Sequence, residues 1–112
     1  MILELADQRI SKNVTGNMDR IGVRIPNNRC ALSLIEKSGG VLVGTSANRS
    51  GEPSATSAED VLNRLEGFDA ILDGGKSVLG IESTVVDVIS GVRVIRQGYV
   101  KYEEIERVLH DV

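Results

Sequence analysis

Apolar residues come in short blocks along this chain, each bounded by glycine, proline or small polar residues. Residues 1–5 form the first block and predict a strand. Residues 7–17 are polar and aperiodic, which predicts an irregular segment. Residues 21–25 predict a second strand, closed by Pro26, which has no N–H for a ladder. Asn27 or Asn28 is placed to cap a helix. That helix carries Ala31, Leu34, Ile35 and Ser38 along one face, and Gly39-Gly40 ends it. Residues 41–44 are continuously apolar and predict a short strand buried on both faces. Residues 45–56, rich in Ser, Thr, Asn, Gly and Pro, predict a long loop.

Thr56 or Ser57 caps the next helix, whose apolar face is Ala58, Val61, Leu62 and Leu65 and which Gly67 ends. Residues 70–72 predict another short strand, followed by the turn Asp73-Gly74-Gly75. Residues 84–89 are β-branched and strand-like. Ser90-Gly91 turns the chain back, and residues 92–96 pair as the second arm of a hairpin. From Lys101 onward, Ile105, Val108, Leu109 and Val112 share one helical face. Strands alternate with helices, yet one hairpin interrupts them. The expected class is therefore α/β of mixed (α+β) character: a twisted, mixed β-sheet flanked by helices.

Composition narrows the chemistry. The chain has 112 residues, enough for one domain or part of one. Its aromatics are Phe68, Tyr99 and Tyr102, so the core has to be built from Val, Ile and Leu. A platform of stacked aromatics for bases is not expected. A formal net charge of −3 argues against a broad nucleic-acid or membrane surface, although a few clustered arginines can dominate locally. Cys30 and His110 are single, which leaves no intrachain disulfide and no cysteine-based metal cluster, and gives poor support to a multi-His metal site or a Ser-His-Asp triad. Cys30 is expected to pack as a small apolar residue and His110 to face solvent. No segment approaches the length of a membrane span, and the opening apolar run lacks the basic flank and cleavage site of a signal peptide. A reducing cytoplasm is the expected location.

Two stretches carry candidate chemistry. The loop Thr45-Ser46-Ala47-Asn48-Arg49-Ser50-Gly51-Glu52-Pro53-Ser54 leads to a helix N-terminus and offers hydroxyls, an amide and backbone N–H groups. Such a set suits phosphate or carboxylate, and equally a surface loop that satisfies its own turns. The second stretch is Gly80-Ile81-Glu82-Ser83-Thr84-Val85-Val86-Asp87. Ser83 there could donate to a ligand carboxylate, or Ser83 and Thr84 could simply begin a strand. Glu82 reads as a base, a magnesium-linked group or an exposed carboxylate. Arg24 and Arg96 lie beside strands, and each offers the planar fork that recognises carboxylate or phosphate.

Taken in order, residues 22–26, 45–54, 73–75, 82–87 and 95–98 resemble the YrdC-like threonylcarbamoyl-AMP synthase family. The strings Ser46-Ala47-Asn48-Arg49-Ser50-Gly51 and Glu82-Ser83-Thr84-Val85-Val86-Asp87 carry most of the likeness, which is firmest over residues 20–98. The resemblance implies a nucleotidyltransferase that joins L-threonine, bicarbonate and ATP into threonylcarbamoyl-AMP and pyrophosphate. That product feeds N6-threonylcarbamoyladenosine formation in tRNA. No covalent protein intermediate and no protein nucleophile are implied; ATP is a substrate, accompanied by Mg²⁺.

Residue by residue, the resemblance implies that Arg24 grips the threonine carboxylate and that Ser83 and Gly44 contact the amino acid. Ser46, Asn48 and Ser54 correspond to the nucleotide loop, Arg96 faces the adenylate and Arg20 touches phosphate. These groups are expected on one concave surface, with the strands at 41–44, 84–89 and 92–96 sharing a sheet. The family's Tyr-Pro-Thr-x-Thr segment and Lys-x-Arg signature do not occur in these 112 residues. The resemblance thus implies one partial domain over residues 1–112, with the amino-terminal half of the domain absent and the chain alone inactive. A missing half or a homo-oligomer would complete it, and tRNA or double-stranded RNA is a further implied partner. Two other readings stand beside this one: a non-catalytic nucleotide- or RNA-binding module, and a self-associating half-domain.

Overall fold

The structure, a computed structural model, describes residues 1–7, 9–77 and 80–110. The expected position of Val112 on the last helix lies outside them. The chain divides into two compact units: Met1–Ile25 with Ile81–Val112, and Pro26–Gly80.

The first unit holds a four-stranded mixed sheet, as the alternation with one hairpin predicts. Its strands are β1 (Ile2–Glu4), β2 (Arg20–Gly22), β3 (Val85–Asp87) and β4 (Arg93–Arg96), in the order β2-β1-β3-β4. β1 runs antiparallel to β2 and parallel to β3, and β3 is antiparallel to β4. Backbone pairing continues one step beyond β2, because the Val23 N–H donates to the Met1 carbonyl at 2.8 Å. Arg24 follows directly. Between β1 and β2 the segment expected to be irregular forms a single helical turn, α1 (Lys12–Thr15). Ser11 caps its start by accepting from the Asn13 N–H, and Gly16 ends it at φ +63°, a conformation glycine takes without Cβ strain. The unit closes with α4 (Tyr102–His110), on which Ile105 is half-buried and His110 exposed.

The second unit contains α2 (Arg29–Lys37) and α3 (Ala58–Arg64). Asn28 caps α2 through its side-chain oxygen, which accepts from the Ala31 N–H at 2.9 Å. Ser57 caps α3, accepting from the Asp60 N–H at 3.1 Å, while the Asp60 carboxylate reaches back to the Thr56 N–H and hydroxyl. This reciprocal arrangement fixes the first turn of α3, with Ser57 as the cap that the sequence offers. α3 ends at Arg64 with Leu65 as its C-cap, before the expected Gly67.

Two expected strands do not form. Residues 41–44 and 70–72 are not strands, and Val41, Val43 and Leu72 are exposed rather than buried. A strand needs a neighbour to take its N–H and C=O groups, and no strand of the second unit offers one among the described residues. The expected core of Val, Ile and Leu is correspondingly small. Among the described residues, Val86 on β3 is the buried hydrophobic side chain, and Thr15 and Asp87 are the buried polar ones.

Candidate functional site

β3 and β4 bring two of the candidate residues into contact. Arg96 at the end of β4 donates from Nη2 to the Ser83 carbonyl at 3.0 Å, and its Nη1 pairs with Glu82 Oε2 at 2.6 Å. Both side chains of the ion pair are about half exposed, so the pair contributes only about 0–1 kcal/mol and a ligand anion can replace it at small cost. The Ser83 side chain is exposed and its hydroxyl makes no hydrogen bond among the described residues. Arg24, also exposed, has no hydrogen bond or ion pair among them.

Behind this edge lies a knot that local sequence patterns do not reveal. The Thr84 hydroxyl donates to the Val100 carbonyl at 2.6 Å and accepts from the Gly98 N–H at 2.9 Å. Gln97 Nε2 donates to the same Val100 carbonyl at 2.7 Å and to the Gly98 carbonyl at 3.0 Å. Gly98 is buried, and a Cβ there would run into the backbone of Glu82, Ser83 and Thr84. Glycine is required at this close approach of two backbones. Gln97-Gly98 reads locally as a strand breaker, and its long-range partner has no sequence signal.

Arg20 lies on β2, at the other side of the sheet. Its Nη1 stands 3.7 Å from Asp87 Oδ2, and Arg93 Nη2 stands 3.4 Å from the same oxygen. The Ile89 N–H donates to Asp87 Oδ1 at 3.0 Å. That backbone donor, aided by Arg93 and Arg20 and opposed by burial, holds the Asp87 carboxyl below its ordinary value. Two open hollows of about 340 and 380 Å³ flank this cluster, with Arg20 and Ile89 lining both. They lie at Arg20 and not at Ser83 and Arg96.

In the second unit the polar loop is organised from within. Ser54 Oγ donates to Asn48 Oδ1 at 3.4 Å, Asn48 Nδ2 donates to the Arg49 carbonyl at 2.8 Å, and the Ala55 N–H donates to the Ala47 carbonyl at 2.8 Å. Residues 49–52 make a tight turn closed by the Glu52 N–H on the Arg49 carbonyl, with Gly51 at φ +83° where such a turn requires glycine. Asn48 and Ser54 are thus joined and half-buried, whereas Ser46 and Gly44 are exposed. Arg49 is exposed and 3.9 Å from Glu66. Because residues 41–44 are not a strand, they do not supply the shared sheet that the expected concave surface called for.

Among the described residues no group of three or more His, Cys, Asp or Glu side chains is gathered to hold a metal. No helix among them is long and apolar enough to cross a membrane.

Comparison with known proteins places these motifs. Residues 1–98 match the Sua5/YciO/YrdC family model, described as telomere recombination. The chain is 40% identical over 105 residues to a threonylcarbamoyl-AMP synthase of Pyrococcus abyssi, covering 92% of this chain and 31% of that protein. It is 39% identical over 111 residues to the Bacillus subtilis protein of the same name, covering 97% of this chain and 32% of that one. Among solved structures, the H234A/Y235A variant of P. abyssi Sua5 matches with a TM-score of 0.88 at 38% identity, over 96% of this chain and 33% of that chain. The chain therefore spans about a third of the length of these relatives. With nearly all of its residues matched in both sequence and fold, the chain belongs to the Sua5/YciO/YrdC family.

Proposed function

We propose that the chain forms part of a threonylcarbamoyl-AMP synthase, contributing contacts to L-threonine and ATP. The observation that carries this reading is the identity of about 40% to proteins of that name across nearly the whole chain. Arg24 grips the threonine carboxylate, and Ser83 and the backbone at Gly44 contact the amino acid. Ser46, Asn48 and Ser54 bind the nucleotide, Arg96 faces the adenylate and Arg20 touches phosphate. The reaction consumes bicarbonate as well. A carbamate oxygen of N-carboxythreonine attacks the α-phosphorus of ATP, the bond to the β-phosphate oxygen breaks, and pyrophosphate leaves. Such chemistry needs positioning and stabilisation of phosphoryl charge rather than a protein nucleophile, and an arginine fork supplies both. Mg²⁺ would accompany ATP on its phosphates, as the family resemblance implies. The product serves tRNA modification in the cytoplasm.

The companion reading is a nucleotide- or RNA-binding chain without turnover of its own. Calorimetric titration of the chain with ATP and with L-threonine tests the common part of both. Arg96→Ala should weaken ATP binding by roughly 10- to 150-fold, since a charge-assisted hydrogen bond contributes roughly 1.5–3 kcal/mol. Arg49→Ala, on the same loop as Asn48, should leave it unchanged. Equal titrations for the two variants would overturn the assignment of Arg96.

A further inference from the structure

We infer that Thr84 is a positioning residue for Arg96, acting as a buckle that sets where the guanidinium stands; this rests on the nucleotide role proposed for Arg96. The β3–β4 ladder does not hold Arg96 by itself. Val85 pairs with Arg96 but Val86 pairs with Val94, so Ile95 is an extra residue on β4 and the register shifts beside Arg96. A bulge of this kind disrupts the ladder locally and re-aims the side chains next to it. Something beyond the bulge has to fix the end of β4.

Thr84 is placed to do so. One hydroxyl spends its donor on Val100 and accepts from Gly98, both beyond the bulge, while its own backbone continues from Ser83. The turn that follows Arg96 is thereby tied to the segment whose carbonyl receives Arg96 Nη2. Gly98 allows the two backbones to close, and Gln97 adds a second donor to Val100. Arg96 and Ser83 therefore share one rigid support. Loss of the hydroxyl would loosen that support while leaving both functional side chains in the chain. Valine keeps the shape of threonine and removes both hydrogen bonds, and serine keeps them.

The test is ATP titration of the full chain and of four variants: Thr84→Val, Thr84→Ser, Arg96→Ala and the Thr84→Val/Arg96→Ala double variant, each checked for fold by circular dichroism. Thr84→Val should weaken ATP binding about tenfold, Thr84→Ser less than about threefold, and the double variant should bind no more weakly than Arg96→Ala. Losses that multiply in the double variant, or a Thr84→Val chain that binds as the parent does, would overturn the positioning role while leaving the nucleotide role of Arg96 intact. An Arg96→Ala chain that binds ATP as the parent does would instead overturn the nucleotide role, and this inference with it. Should Thr84→Val fail to fold, hydrogen exchange of the parent chain decides. Saturating ATP should slow exchange at the Gly98 amide in the parent and not in Arg96→Ala, because coupling between the two sites is reciprocal. Unchanged Gly98 exchange in the parent would overturn the role.

Discussion

Arg96 reaches across from the end of β4 and donates to the backbone carbonyl of Ser83 at 3.0 Å, while Glu82 takes its other terminal nitrogen at 2.6 Å. The carboxylate thus occupies the fork that the proposed function assigns to an anion. Glu82→Gln keeps a hydrogen-bonding side chain and removes the competing charge. ATP should bind about threefold more tightly to this variant, with stability changed by less than about 1 kcal/mol because the ion pair is half-exposed. Calorimetry and urea unfolding check the two parts separately.

Gly98→Ala should destabilise the chain by about 1–3 kcal/mol, the range typical of overpacking against groups that cannot move aside. The obstacle is backbone at Glu82, Ser83 and Thr84 rather than a flexible side-chain end. Denaturant midpoints of the variant and the parent give the difference.

Asp87 makes stability depend on acid. Its folded carboxyl titrates below the ordinary value because the Ile89 N–H, Arg93 and Arg20 favour the ionised form over the cost of burial. The stability it contributes is fully present above the unfolded value of about 4 and is lost as pH falls through the folded value. Thermal melts from pH 7 down to pH 3 should show a falling midpoint below about pH 4, and Asp87→Asn should flatten that fall.

Ser57→Ala should cost about 1 kcal/mol through loss of the α3 cap. Its partner in the motif, Asp60, also titrates below its ordinary value, chiefly through the Thr56 N–H and then the Thr56 hydroxyl. Ser57→Thr, which keeps an acceptor at the cap, should recover most of the loss in denaturant titrations.

The chain by itself should release little pyrophosphate from ATP, bicarbonate and L-threonine. Without a Lys-x-Arg signature in these residues, the triphosphate lacks cationic partners that the family resemblance implies. A full-length relative assayed beside it supplies the reference, and equal turnover would contradict the expectation.

Local chemistry was the readable part of this chain. Asn28 and Ser57 are helix caps in both sequence and structure, because a cap needs only a short polar side chain a few residues from its target. The hairpin around Ser90-Gly91 was equally plain. α1 leaves no periodic signal because a four-residue helix has no room for an apolar period, although Ser11 and Gly16 are its boundary signals. Residues 41–44 depart from the expected strand for a different reason. An apolar run looks the same whether or not a neighbouring strand exists, and pairing is a property of the fold rather than of the run. The site divides likewise. Arg96 and Ser83 stood out by residue type and motif, and the structure joins them. Thr84 and Gly98 looked like an ordinary strand residue and an ordinary breaker, because their meeting depends on a turn 14 positions apart in sequence.

The parallel pairing of Ile2 with Asp87 has a consequence for how the chain is made. All of Pro26–Gly80 is synthesised between the two strands, so the first unit cannot close until the second has been completed. Doubling such a loop costs only about 0.6 kcal/mol, so the burden falls on the rate of closure more than on final stability. The second unit, whose helices and caps are local, is free to form first. Throughout that interval β1 has β2 on one side, while the edge that takes β3 stays open. It is then that pairing with another nascent chain competes with the native partner.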